Sequence, residues 1–478
     1  MYSYNFIFLK DLNLSYYEQV CDIEKAARID SKSAANSSRI LLEDFLSELE
    51  KGEENKRYKQ EAIERLKDGE KFNPRHLASR LQILEWIRSN RGRNEKSLPK
   101  IKVNFRNRNI QFFPDKASLG GEYNGYDFLR MLGNAGSHAG KQKLKANTDN
   151  VIMALEIFHK VFIKYYSCDQ DNNSFDRNNV PIGEYFITSE YLPIDMAWSK
   201  CSKEYGCHWF KGNRDLTKFY AVLREYKEED YAGDNLFVTR NVDIYGNIQS
   251  SETARTVNVK ELTCKSDDGN GSYFIAYEFT NRPYRLNNET FKQFDFSIKD
   301  RMGICAKIIN DFYKLHSSNP PIYHRDLSFD SIALCKTSGE DSEWVPYIIK
   351  FNFAKYKDGA VGTVVENLIE ADQKMYEDGL APGRISKYRI DVINEDTEWD
   401  KVDIYALGTL LIDILLLDIS PQKPRENVRI DKVADMLFLD KESDTIMLLR
   451  RMTSEDIYER PNISEVKNVF EREAQRWM

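Results

Sequence analysis

The sequence predicts an α+β protein in three successive parts: an all-helical bundle over residues 1–166, a small β-rich segment over 185–280, and a larger, mostly helical segment over 281–478. Three observations predict it. Before residue 167 apolar residues recur at helical spacing. From 185 to 280 short β-branched and aromatic runs dominate. From about 298 the helical spacing returns. Between the first two parts, S-C-D-Q-D-N-N-S-F-D-R-N-N-V (167–180) is polar and rich in Asn and Asp, which marks a linker over 167–184.

At roughly 150 residues per domain, 478 residues suit two or three domains. Lys+Arg 69 against Asp+Glu 76 gives a net charge of −7, which excludes a bulk nucleic-acid coat. Hydrophobic residues at 41% and aromatics at 12% exclude wholesale disorder. The seven cysteines (21, 168, 201, 207, 264, 305 and 335) are odd in number and contain no C-x-x-C pair. That argues against a disulfide framework or zinc ribbon and for a reducing cytoplasm. The opening M-Y-S-Y-N-F-I-F-L-K-D has no basic stretch before an apolar core, so no signal peptide is expected. The most apolar run, 404–417, spans 14 residues, carries Asp413 and is too short for a bilayer. It reads as a helix buried in a core, with no membrane partner.

Taken in order, S-A-A-N-S-S-R-I-L-L-E-D-F-L-S-E-L (33–49) places Leu41, Leu42, Phe45, Leu46 and Leu49 on one helical side. The stretches 76–88 and 151–166 do the same. Residues 87–109 hold eight Lys/Arg and one acid, a solvated basic loop or a contact to the phosphates of RNA or another nucleic acid. W-F-K-G, K-F-Y-A-V-L, T-V-N-V-K-E-L and S-Y-F-I-A-Y-E-F read as strands. The six histidines show no metal-ligand spacing, and the cysteines read as core rather than nucleophile.

One motif organises the second half. I-Y-H-R-D-L-S-F-D-S-I-A-L (322–334) resembles the protein-kinase catalytic loop. Around it, in the order that family requires, stand R-M-G-I-C-A-K-I-I-N-D-F-Y-K-L-H (301–316), Y-F-I-A-Y-E-F-T (273–280), I-I-K-F-N-F-A-K (348–355), A-P-G (381–383), V-D-I-Y-A-L-G (402–408) and E-R-P-N-I-S-E-V (459–466). The resemblance covers roughly 280 residues. It implies a bilobal protein-kinase-like fold, with an N-lobe over 185–280 and a C-lobe over 281–478. It also implies structural roles for His324, Arg325, Asp403, Gly408 and Arg460, with Asp403 tied to the backbone of the His-Arg-Asp segment.

Phosphoryl transfer needs a glycine-rich loop, a strand lysine, a catalytic aspartate and two metal ligands. By the resemblance, the loop falls at C-S-K-E-Y-G (201–206), where only Gly206 remains and Cys201 and Lys203 take glycine positions. The A-x-K lysine falls on Leu223, and Arg224 beside it points to the opposite face. The acid of the following helix is not placed by the sequence; Asp243 is the candidate. Asp326 remains, as a surviving catalytic base or as a structural residue. Ser328 replaces the loop lysine, Ser331 the metal-binding Asn, and Asn352 the metal-binding Asp, with Asp330 adjacent to Ser331. Serine and asparagine are neutral where hard Mg²⁺ favours anionic oxygen. Gly383 stands where an acid would pair with Arg460, and Thr363 and Tyr376 lie in the same segment. ATP is the implied ligand, contacting Gly206, Asp326, Ser331 and Asn352, and Mg²⁺ binding is disfavoured. No metal-ligating residue is assigned.

In the first part, D-F-L-R-M-L-G-N-A-G-S-H (127–138), with S-S-R-I-L-L-E (37–43) and the helix at 151–166, resembles a HEPN-like domain. Ribonucleases of that family use an Arg and a His with four to six residues between them. Here Gly133 stands at the arginine position, and seven residues separate Arg130 from His138. His138 is the candidate general base, against the plainer reading of a helix-packing or capping residue. The family implies a homodimer through the helical part.

Together these readings predict a cytoplasmic pseudokinase: a regulator or scaffold, with a protein partner or effector, in a prokaryotic phage-defence or toxin-type system. The alternatives are a divergent kinase or nucleotidyl transferase using Asp326, and a HEPN-type ribonuclease using His138 with residues 87–109 holding RNA.

Overall fold

The computed structural model describes residues 2–67, 72–91, 98–103, 123–137, 145–169, 173–191, 201–210, 217–227, 244–249, 255, 257–264, 272–325, 327–339, 342–351, 354–356, 398–419 and 426–477. The chain is α+β, with a helical first part, a five-stranded antiparallel sheet, and helices again towards the end.

The first part contains α1 (Leu9–Leu12), α2 (Leu14–Ala27), α3 (Ser31–Glu50), α4 (Glu53–Leu66), α5 (Leu77–Arg91), α6 (Gly125–Ser137) and α7 (Thr148–Tyr165). A two-residue strand pair, β1 (Lys102–Val103) with β2 (Tyr123–Asn124), accompanies them. Helix starts follow side-chain caps: Asn13, Asp30 and Asn147 accept from the backbone N–H groups of Tyr16, Ser33 and Asn150. The apolar stripe of α3 is buried from Leu41 to Leu49, while Ile40 on its other side is half exposed. In α7 thirteen of eighteen residues are buried, which makes it the central helix of this core. Helices α3 and α6 pack closely because α6 carries glycine at the contact. A Cβ on Gly136 would lie 2.8 Å from the Lys32 carbonyl oxygen and 2.9 Å from the Asn36 nitrogen.

The main sheet has the order β3-β4-β5-β7-β6, where β3 is Phe186–Tyr191, β4 Cys201–Phe210, β5 Lys218–Lys227, β6 Asn258–Cys264 and β7 Ser272–Phe279. All neighbours are antiparallel. Its two faces bury different partners. Tyr205, Cys207, Ala221, Leu223, Phe274 and Ala276 form one small core together with Tyr185 and, from the helical part, Ile29. Val222, Ile275 and Tyr277 face the other way, into the large core of the second half, where the helical stretch 244–249 adds Ile244, Tyr245 and Ile248.

Residues expected to be linker join these cores. Val180 belongs to the helical core and Ile182 to the sheet core. The Asp176 N–H donates to Asn5 Oδ1 at 2.9 Å. Segment 2–6 reaches the sheet directly. Tyr4 Oη lies 2.8 Å from His208 Nε2, the rings of Tyr4, Phe186 and Phe210 surround that imidazole, and Tyr2 packs against Tyr4 and Phe210.

The rest of the chain starts with β8 (Pro283–Arg285), α8 (Asn288–Gln293) and α9 (Ile298–His316), which opens on a Ser297/Asp300 capping box. Then come β9 (Ile322–Tyr323), β10 (Ile332–Lys336), β11 (Trp344–Ile348) and β12 (Lys355–Tyr356), followed by α10 (Trp399–Leu416), α11 (Glu426–Leu437), α12 (Asp444–Met452) and α13 (Ile463–Gln475). Strands β11-β10-β8 form a three-stranded sheet and β12-β9 a pair. Helix α10 explains the apolar run of the sequence: every residue from Val402 to Leu415 is buried. Asp413, inside that run, is neutralised by Arg429 of α11 at 2.7 Å, with both side chains almost wholly buried. Among the described residues no helix is long and apolar enough to cross a membrane.

Candidate functional site

The segment after β9 is held from beneath by α10. Asp403 is 1% exposed and accepts from the backbone N–H groups of His324 at 2.7 Å and Arg325 at 2.8 Å. His316, at the end of α9, places Nε2 3.1 Å from the same carboxylate. Arg325 has a φ of +67°, a left-handed conformation that side chains disfavour. The Asp403 hydrogen bond and the Trp399 ring, 3.9 Å from the guanidinium carbon, accompany it. His324 is fully buried, with Nε2 3.4 Å from the Ile349 carbonyl oxygen.

Just beyond, Phe329–Ser331 make a single 3₁₀ turn. Ser331 is fully buried, and its hydroxyl accepts from the Ser328 N–H at 3.3 Å. The Ile349 N–H donates to the Ser331 carbonyl at 2.8 Å, which ties this turn to the segment that leads to Asn352. Gly408 lets α10 touch the end of α12: a Cβ there would lie 2.8 Å from Met452 Cβ. Buried Arg460 donates to the carbonyls of Ser454 at 3.0 Å and Lys401 at 3.2 Å and lies over the Tyr405 ring. Asp326, Asn352, His138, Asp243, Thr363, Tyr376 and Gly383 lie outside the described residues.

Between the main sheet and the β8–β10 sheet lies a cavity of about 310 Å³. Gly206 and Val222 line it from the main sheet, and Phe329, Ile332, Ala333 and Ile349 from the other side. Two expectations are corrected here. Residues 201–206 are the first half of strand β4 rather than a loop: Gly206 pairs with Ser189 and with Val222. The strand register also turns Leu223 away from the cavity, into the core shared with Ile29. Its neighbour Arg224 therefore takes the inner face, at 3% exposure. The sequence alignment is one residue out of phase with the pleat.

Sequence reasoning passed over the residue that Arg224 meets. Glu204 lies directly across from Arg224 in the β4–β5 register. Arg285, from β8, places Nη2 2.7 Å and Nε 2.9 Å from Glu204 Oε1. Arg224 Nε is 3.6 Å from Oε2. One nearly buried carboxylate thus stands between two arginines, Arg285 in the cavity lining and Arg224 on the neighbouring strand. The pairing rule for facing strand residues could have found half of this, the Glu204–Arg224 pair.

Nucleophile chemistry finds little support nearby. Burial pushes the thiol of Cys207, on the outer face, well above its ordinary range, and that of Cys335 up to about 12. In the helical part, Arg130 pairs with Asp127 at 3.5 Å, and Asn134 accepts from Arg39 of α3 at 3.2 Å. Among the described residues no cluster of three or more His, Cys, Asp or Glu could hold a metal ion.

No protein-family profile matches the chain. It is similar to two Dictyostelium discoideum proteins described as probable serine/threonine-protein kinases. The first is 26% identical over 221 residues, covering 42% of this chain and 18% of that protein. The second is 27% identical over 145 residues, covering 30% of this chain and 20% of its own length. The matched region spans about a fifth of each relative. The chain is thus kinase-like through distant and partial similarity to serine/threonine-protein kinases.

Proposed function

We propose that residues 185–478 form a kinase-like, two-lobed body whose phosphotransfer parts are replaced: a pseudokinase that works as a regulator or scaffold for the helical part or for a protein partner. The observation that carries this reading is Glu204, held between Arg224 and Arg285 in the cleft. A nucleotide phosphate approaching either arginine meets a carboxylate already there, and like charges in a poorly solvated cleft repel strongly. Ser331 adds to it, because a buried neutral hydroxyl facing the Ser328 backbone is a poor ligand for Mg²⁺. The described residues do not fit a magnesium nucleotide.

The sheet order, the cleft against β8–β10, and the loop anchored by Asp403 support the kinase-like part of the reading. The docking of segment 2–6 and Ile29 on the sheet supports a regulatory link between the two parts. A place in phage defence rests on the HEPN-like resemblance alone.

The test is incubation of the full chain with labelled Mg-ATP, alone and with generic protein substrates, beside calorimetric titration with ATP. We expect no label transfer and no magnesium-dependent binding. Transfer that disappears in Asp326→Ala would instead establish a divergent kinase.

A further inference from the structure

We infer that Glu204 is a resident anion: it fills a two-arginine oxyanion site in the cleft with the chain's own carboxylate and so keeps external oxyanions out. This rests on the cleft described above, but not on the absence of catalysis. The geometry is that of a ligand held from two sides. Arg285 presents two nitrogens to one oxygen of Glu204, at 2.7 and 2.9 Å, and Arg224 approaches the other oxygen at 3.6 Å. A guanidinium fork is matched to carboxylates and phosphates alike, so a site that suits Glu204 also suits an external oxyanion.

Burial makes the occupancy strict. The Arg224 side chain is 3% exposed and Glu204 11%. The Arg285 side chain is 21% exposed, so the site pairs one buried guanidinium with one at the cavity wall, an arrangement that favours an anion between them. The adjoining cavity supplies room for one, about 310 Å³. Among the described lining residues, Lys218, Arg282 and Arg285 stand against Glu204 and Glu289, so Glu204 supplies one of the two carboxylates that offset them. Without Glu204 the described lining residues carry three cations and one carboxylate. The cleft then becomes a receptor for a small, multiply charged oxyanion.

The experiment uses the full chain with metal-free inorganic pyrophosphate as the probe, at constant ionic strength. Wild type, Glu204→Ala, Glu204→Gln and Glu204→Ala/Arg285→Ala are compared by thermal unfolding. Wild type should show no pyrophosphate-dependent shift. Both single variants should gain a shift of a few degrees as the probe saturates the site. The double variant should lose most of it. If Glu204→Ala is largely unfolded alone, pyrophosphate should raise its folded fraction.

The inference is overturned if neither single variant responds more than wild type, or if the double variant keeps the whole gain. Because the probe contains neither metal nor nucleotide, its outcome is separate from turnover. A wild type that transfers phosphate would end the pseudokinase reading and leave these arms readable.

Discussion

Removing the Asp403 carboxylate should unfasten the loop that leads to Asp326. Asp403 satisfies two buried backbone N–H groups, those of His324 and Arg325, at 2.7 and 2.8 Å, and it also meets His316. Alanine leaves both donors without the acceptor that the fold supplies. An unsatisfied buried donor costs about 1–3 kcal/mol, so Asp403→Ala should cost roughly 2–6 kcal/mol. Asparagine keeps one acceptor oxygen but turns an NH₂ towards the second donor, so Asp403→Asn should cost about half as much. Arg325, at a φ of +67°, would lose the bond that helps fix its conformation. The assay is amide hydrogen exchange on peptides covering 322–328, with a urea titration of the full chain alongside. Faster exchange in the order wild type, Asn, Ala is expected. An alanine variant with wild-type exchange there and a stability within about 1 kcal/mol of wild type would refute the reasoning.

Arg429→Met should take from the buried Asp413 carboxylate its guanidinium partner and cost about 3–5 kcal/mol, and adding Asp413→Leu should recover most of it. Equal urea midpoints for the single and double variants would count against that. Gly408→Ala forces a Cβ to within 2.8 Å of Met452 Cβ and should destabilise the chain by roughly 1–3 kcal/mol, measured by thermal unfolding. Glu24 is fully buried, and burial holds its carboxyl up at about 8, against an ordinary 4.5. The protonated folded form is favoured, so this stabilisation is complete below pH 4.5 and fades as pH rises to about 8. Glu24→Gln should thus gain on wild type across that window, by roughly 2–5 kcal/mol at its top. Parallel stability curves from pH 5 to 8.5 would defeat the expectation.

Helices were legible where one stripe or one long run dominates. The apolar spacing at 33–49 lies inside α3, and the run at 404–417 coincides with the buried body of α10. Periodicity reports burial, and both helices bury a continuous surface. Helix α4 went unread because it buries only Asn55 and Ala62. In the cleft, residue types were legible and phase was not. Nothing in K-F-Y-A-V-L-R-E-Y states which half of the alternation faces the cavity, because both faces of this sheet are covered. Leu223 and Arg224 were therefore exchanged. Glu204 was missed for a related reason: its significance lies in Arg285, 81 residues away, which no local pattern connects to it.

The contact between Tyr4 and His208 has a consequence for the order in which the chain acquires its shape. The partners are 204 residues apart, whereas the helical core is complete once Val180 has been made. Synthesis thus delivers a bundle that can close on itself while Tyr2 and Tyr4 still await their ring partners. Those partners sit on β3 and β4, and β4 is held in register by β5. Contacts of such long separation form late, after their loop-closure entropy has been met. The finished bundle then serves as a surface on which the first hairpin of the sheet is laid down. Until it is, a pair of tyrosines and Ile29 form a transient sticky face, the natural place for a chaperone to hold the nascent chain.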